Sequence, residues 1–158
     1  MSVAETGFKA KNAAVILEDG SKKKLKDLPG KKGLVLYFYP RDNTPGCTKE
    51  ACSFRDHNKD IQKLCYNLVG VSADSVESHQ KFIQKQSINF PLISDESAEL
   101  CQMFGVWTEK NMYGKKFMGI QRATFLLDTN LKVLQAWPKV KVDNHTKEVM
   151  EAIKGAKG

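Results

Sequence analysis

The sequence has no long apolar run. Its longest, Leu34 to Tyr39, is six residues, whereas a bilayer-spanning helix needs about 20. A transmembrane helix is therefore excluded, and no membrane partner is expected. The first residues, Met1–Lys11, have no charged start followed by an apolar stretch, so no secretory signal is read there. Proline and glycine are also sparse. Five Pro and eleven Gly in 158 residues are too few for a low-complexity or disordered chain. Histidine is limited to His57, His79 and His145, too dispersed to form a Ser/His/Asp or Cys/His pair by spacing. Cysteine occurs four times, at Cys47, Cys52, Cys65 and Cys101. An even count would suit two disulfides in a secreted protein. Without a leader, and with a chain long enough to bury its own core, thiols kept in a reducing cytosol are the better reading.

What is present is an ordinary globular mixture, 41% apolar and 27% charged. The length sets an expectation of one domain over residues 1–158. Lys and Arg outnumber Asp and Glu by 25 to 18, giving +7. The basic residues are scattered, at Lys22–Lys24, Lys31–Lys32, Lys115–Lys116, Lys139 and Lys141, without interleaved aromatics. They read as solvated surface, with no nucleic-acid partner.

Local patterns give an element order. Val15-Ile16-Leu17 leads into Asp19-Gly20, a hairpin turn signal, with Leu25 to Leu28 as the return arm. Leu34 to Tyr39 reads as a central strand covered on both faces. Thr44-Pro45-Gly46 starts a helix, Thr44 as N-cap and Pro45 at the first position. That helix runs to about Leu64, with Cys47, Ala51, Phe54, Ile61 and Cys65 on one inward face. A strand at Leu68–Ser72, a helix at Ser75–Gln86, an edge strand at Phe90–Ile93 and a short helix at Ser97–Phe104 follow. Residues 105–119, with Gly105, Gly114 and Gly119, read as a loop. Ala123–Leu127 and Leu131–Trp137 form an antiparallel hairpin, with Leu131, Val133, Gln135 and Trp137 on one face. His145–Ile153 is the last helix. The order predicts an α/β sandwich of thioredoxin type: a mixed central sheet flanked by helices, with an N-terminal β-hairpin extension.

The chemistry concentrates in residues 39–52, where a strand end leads into a helix carrying Cys47 in its first turn. Ligands in open α/β sheets sit at the carboxyl ends of strands. The helix start offers free N–H groups and about half a positive charge, both of which favour thiolate, the nucleophilic form. Ionisation alone is a small gain. A free thiol is ~3% ionised at pH 7, so full ionisation adds ~30-fold, or ~2 kcal/mol. Further groups must stabilise the transition state. Thr44 can place a hydroxyl near the sulfur, backbone N–H groups around Gly46 can donate, and Arg122 can reach in from a later strand.

Pro40-x-x-x-Thr44-x-x-Cys47 resembles the peroxiredoxin active-site motif, and Pro45-Gly46-Cys47-Thr48-x-x-Ala51-Cys52 is similar to the peroxiredoxin Q, or bacterioferritin comigratory protein, subfamily. The resemblance extends over nearly the whole chain, through Met112-Tyr113-Gly114-Lys115, Gly119-Ile120, Arg122-x-Thr124-Phe125-Leu126 and Trp137-x-Lys139-Val140. It implies a thiol peroxidase for hydrogen peroxide and organic hydroperoxides, acting without cofactor or metal. Cys47 would be the peroxidatic cysteine. Pro40 would shape the pocket, Thr44 would hydrogen-bond sulfur and peroxide, and Arg122 would hold the thiolate. Cys52 would resolve the sulfenic acid as a Cys47–Cys52 disulfide, recycled by thioredoxin or glutaredoxin, in a monomer or weak dimer. One departure is Ala123, where the family often has Ser or Thr. Five residues along a helix rise ~7.5 Å and turn ~140°, so the two sulfurs cannot meet while the helix is intact.

Other readings are weaker. A thioredoxin-like disulfide oxidoreductase uses Cys-x-x-Cys, but four residues separate Cys47 from Cys52. A metal module built on Cys47, Cys52 and His57 lacks a second ligand cluster. Cys65 and Cys101 read as structural, and Trp107 and Trp137 as packing residues.

Overall fold

A computed structural model describes residues 3–156. In chain order the elements are β1 (Ala14–Ile16), β2 (Lys22–Lys24), β3 (Gly33–Phe38), α1 (Pro45–Lys63), β4 (Tyr66–Ser72), α2 (Val76–Gln86), β5 (Leu92–Ser94), α3 (Glu99–Met103), β6 (Trp107–Met112), β7 (Lys115–Ile120), β8 (Ala123–Asp128), β9 (Val133–Trp137) and α4 (His145–Gly155). The central sheet has the order β5-β4-β3-β8-β9, parallel between β5, β4 and β3 and antiparallel from β3 to β8 to β9. It is the expected mixed sheet of thioredoxin type.

The apolar run became β3 because its neighbours on both edges and both faces are protein. Every residue of Gly33–Phe38 is buried. Leu34, Leu36 and Phe38 face one core layer, which includes Leu100 and Phe104 around α3. Val35 and Tyr37 face the other, with Ala51, Phe54 and Ile61 of α1, Phe82 of α2 and Val149 of α4. A strand at the middle of a sheet thus needs no polar face.

Four expectations need correction. The return arm of the first hairpin is Lys22–Lys24, while Leu25–Asp27 forms a 3₁₀ turn that buries Leu25. The Asp27 carboxylate closes that turn by accepting from the Lys24 backbone N–H at 2.9 Å. Residues 105–119 are not a loop: β6 and β7 pair in strict antiparallel register from Trp107–Ile120 to Met112–Lys115. Tyr113 and Gly114 at their turn have φ of +53° and +78°, the pair of positive angles a two-residue hairpin favours.

The remaining two corrections concern single side chains. β9 does not keep Leu131, Val133, Gln135 and Trp137 on one face. Leu126 pairs with Gln135 but Leu127 with Val133, so Leu134 is an extra, bulged residue and the alternation inverts there. Leu131 and Val133 join one core layer, whereas Leu134 and Trp137 pack on the other. Cys65 lies beyond α1 rather than on its inward face. It takes φ +70° as the chain leaves the helix, and it is half-buried. Cys101 is fully buried as expected, and burial pushes its thiol well up.

Among the described residues no helix is long and apolar enough to cross a membrane.

Candidate active site

Strand β3 delivers the chain to the sheet's carboxyl edge, and α1 begins seven residues later. The intervening segment is pinned from beneath by a buried polar network. Tyr39 donates its hydroxyl to Asp42 at 2.6 Å, and the Asp42 backbone N–H donates to Asp74 at 2.8 Å. His79 meets the Asp42 carboxylate at 2.7 Å through Nδ1 and the Ile93 carbonyl at 2.9 Å through Nε2. Burial works against charge on this ring, but the Asp42 carboxylate and the Ile93 carbonyl prevail and raise His79. Asp42, Asp74 and His79 come close enough to resemble a metal cluster. The Ile93 carbonyl can only accept, so Nε2 carries a hydrogen, and Nδ1 lies at hydrogen-bond distance from the Asp42 carboxylate.

α1 begins as the sequence predicts. Thr44 occupies the N-cap with extended backbone, Pro45 is the first helical residue, and Cys47 stands in the first turn, 1% exposed. The sulfur is not alone there. Arg122 places Nη2 3.2 Å from Cys47 Sγ, while Nη1 donates to Glu50 Oε1 at 2.6 Å. One guanidinium thus bridges the thiol and a buried carboxylate one helical turn further on. Gly46 leaves room for this approach: a Cβ there would lie 3.3 Å from Arg122 Nη2, a tight contact. Burial pushes the Glu50 carboxyl up to about 7 against the pull of Arg122. The thiol therefore has a cation in contact and a helix N-terminus behind it, both of which stabilise negative charge on sulfur.

The other expected residues are placed as follows. Pro40 is half-buried at the bend leaving β3. The Thr44 hydroxyl does not cap the helix or contact sulfur. It donates to the Arg41 carbonyl at 3.0 Å, which corrects the expected bond to the thiol and leaves the oxygen free to accept. Cys52 is half-buried on α1, away from Cys47, with Sγ 3.6 Å from Gln86 Oε1 and from Arg55 Nη1. Both cysteines are free thiols, as are Cys65 and Cys101. Ala123 is fully buried at the start of β8.

Sequence reasoning missed Glu50, although three residues after Cys47 it shares a helix face with it. It also missed Lys110, and the carboxylate partner of His79. Lys110 is half-buried on β6. Burial and the Arg122 charge lower its ammonium, and the Cys47 sulfur opposes them, so it stands within electrostatic reach of the site.

His145 lies behind the site, with Nε2 2.8 Å from the Thr124 hydroxyl and its ring edge-on to Phe54. Burial, aided by Arg122, pushes this imidazole down to about 4. An unfolded histidine titrates near 6.5, so between those values only the unfolded chain takes up the proton. The contribution of His145 to stability is full above pH 6.5 and is lost as the pH falls towards 4. It amounts to about 3 kcal/mol. The difference in unfolding free energy between wild type and His145→Gln should therefore move by about that amount between pH 7 and 4, against the wild type. Urea titrations at several pH values measure it, and a difference independent of pH would refute the assignment.

The AhpC/TSA family matches residues 6–136. The putative peroxiredoxin bcp of Coxiella burnetii is 47% identical over 146 residues, 92% of this chain and 96% of that one. Peroxiredoxin Bcp of Bacillus subtilis is 43% identical over 150 residues, 95% of each chain. A solved structure of the Xanthomonas campestris bacterioferritin comigratory protein, concerned with alkyl peroxide reduction and a trapped intermediate/ligand complex, superposes with a TM-score of 0.87. It is 42% identical, and the match covers 95% of this chain and 98% of that one.

Proposed function

The chain belongs to the AhpC/TSA family, in its peroxiredoxin Bcp branch, and is a thiol peroxidase; on that premise we propose how its residues divide the chemistry. Cys47 is the nucleophile. Its thiolate attacks the distal oxygen of a hydroperoxide, an S–O bond forms and the O–O bond breaks. The electron pair leaves on the proximal oxygen, which takes a proton and departs as water or an alcohol. Cys47 is left as a sulfenic acid.

The observation that carries this assignment is the 3.2 Å contact between Arg122 and the Cys47 sulfur. A fixed guanidinium stabilises the attacking anion and then the charge that develops on the departing oxygen. Glu50 is a positioning residue that holds the other arm of Arg122. With its O–H donating to the Arg41 carbonyl, the Thr44 hydroxyl oxygen accepts the hydrogen of the bound hydroperoxide. Pro40 has no N–H to compete for the peroxide and forms part of the wall.

Cys52 resolves the intermediate. Its sulfur attacks Cys47–SOH, a disulfide forms and water leaves. A dithiol protein of the thioredoxin class then returns two electrons, with glutaredoxin as the alternative donor. Both cysteines sit on one intact helix, ~7.5 Å apart along its axis and ~140° around it. A disulfide needs Cα atoms within ~7 Å and converging Cβ directions. The first turns of α1 therefore unwind in each cycle. The later turns stay anchored: Arg55 Nη1 donates to the Gln86 carbonyl at 2.7 Å and Asn58 Nδ2 to the Asn89 carbonyl at 2.9 Å.

One equivalent of peroxide followed by intact mass tests this. The expected product has lost two hydrogens, mapped to a Cys47–Cys52 peptide, and amides 45–55 exchange faster than in the reduced protein. A bridge to Cys65 or Cys101 would overturn the role of Cys52, and equal amide protection would overturn the unwinding.

A further inference from the structure

The turn between β3 and α1 is held through one peptide plane. In a trans peptide the carbonyl and the N–H point in opposite directions. At the Arg41–Asp42 peptide both ends are engaged. The Asp42 N–H donates to Asp74 Oδ2 at 2.8 Å, and the Arg41 carbonyl accepts the Thr44 hydroxyl at 3.0 Å. A hydroxyl has a single hydrogen and can otherwise donate or accept. The position of the Arg41 carbonyl therefore decides which way Thr44 presents itself.

The Asp74 end is itself fixed. The same carboxylate oxygen accepts the Ser72 hydroxyl at 2.6 Å, the Asp74 N–H donates to Ser72 Oγ at 3.2 Å, and the Asp74 carbonyl accepts the Ser94 hydroxyl at 2.6 Å. Asp74 is thus tied to the carboxyl ends of β4 and β5. The Asp42 side chain adds a second hold. Its Oδ1 accepts from the Tyr39 hydroxyl at 2.6 Å, and its Oδ2 from the Ser78 hydroxyl at 2.8 Å, with His79 Nδ1 at 2.7 Å. Asn43, next in the chain, takes φ of +64°, a left-handed conformation that persists where the surroundings over-determine it. None of these partners belongs to α1, so the hold on the turn is independent of the helix that unwinds.

We propose that Asp74 is a positioning residue for the peroxide step: through the Arg41–Asp42 peptide it aims the Thr44 hydroxyl so that its oxygen, and not its hydrogen, faces the hydroperoxide. The Asp42 carboxylate, with Tyr39, Ser78 and His79, keeps the same peptide from rotating. This rests on Thr44 as the group that accepts the peroxide hydrogen, and it extends the machinery of that step to the end of β4. Without Asp74 the peptide can turn, the Thr44 hydrogen is released from the Arg41 carbonyl, and the hydroxyl no longer has a fixed polarity toward the substrate.

The test is a double-substitution cycle, read as second-order rate constants for oxidation of the reduced full chain by hydrogen peroxide. Asp74→Ala should slow this step about tenfold, the scale of a slightly misplaced substrate-holding group. Tyr39→Phe removes one donor to Asp42 and keeps the ring in the core, and it should slow the step about threefold. Asp74→Asn keeps an oxygen for the Asp42 N–H and should stay within about twofold of wild type. In a Thr44→Val background both losses should vanish, because the group they act through is gone. Alkylation of Cys47 by iodoacetamide, which needs the sulfur but no acceptor for a peroxide hydrogen, should proceed in Asp74→Ala as in wild type. A peroxide step unchanged in Asp74→Ala, losses that persist in Thr44→Val, or an equal loss in alkylation would each overturn this inference alone. A wild-type peroxide step in Thr44→Val itself would overturn the role of Thr44 and this inference with it.

Discussion

Replacing Cys47 by serine is expected to abolish hydroperoxide consumption, a loss on the order of 10⁶-fold, the scale seen when a covalent nucleophile is removed. A serine fits the first turn of α1 and makes similar contacts, so the fold should persist and circular dichroism should match the wild type. What disappears is the nucleophilic sulfur that forms the covalent bond to the peroxide oxygen, which a hydroxyl does far less readily. Arg122 would remain, facing a neutral hydroxyl. The measurement is peroxide disappearance with a thioredoxin-class reductant in excess. A rate within tenfold of wild type would mean that another thiol does the work, and the assignment of Cys47 would fail.

Replacing Arg122 by methionine should slow sulfenic acid formation by about 10²–10³-fold, the usual effect of deleting one donor aimed at developing charge. It should also weaken the fold. Glu50 is 1% exposed and its Oε1 depends on Arg122, while its Oε2 has no partner. Stranding a buried carboxylate costs about 3–5 kcal/mol. A second substitution, Glu50→Gln, separates the two effects. In Arg122→Met/Glu50→Gln most of the stability should return, whereas the peroxide step should stay slow. Rapid-mixing kinetics and urea unfolding on the same samples provide both readouts. A peroxide step within threefold of wild type in Arg122→Met would remove the guanidinium from the mechanism.

The elements legible in the sequence were those whose signal is local. Leu34–Tyr39 could only be an inner strand, and Thr44-Pro45-Gly46 carries its helix start in three residues. The β6–β7 hairpin was hidden because its strands belong to no main sheet and bury little. Glu109, Lys110, Asn111, Lys115 and Lys116 give no apolar alternation, and the glycines suggested a loop. The bulge at Leu134 was hidden for another reason: parity along β9 changes only because β8 holds it in a particular register.

The site divides the same way. Cys47 is legible from its place after a strand and at a helix start, and Arg122 from the segment that follows it. The partners of these residues are distant in sequence. Glu50 is 72 residues from Arg122, and Asp42 is 37 from His79, so only the fold brings them together. The Thr44 hydroxyl was misplaced because an N-cap position does not dictate where its side chain donates. Here the Arg41 carbonyl is nearer to hand.

The continuity of α1 through both Cys47 and Cys52 has a consequence for electron flow. On the proposed pairing, the oxidised protein has forfeited several helical hydrogen bonds that the reduced protein keeps. That lost structure acts like a stretched spring, and rewinding it favours taking electrons back. Each 1.4 kcal/mol so stored raises the two-electron reduction potential by about 30 mV. The helix would thereby make its own bridge easy to break, and the disulfide would be poised as a ready electron acceptor rather than a permanent crosslink.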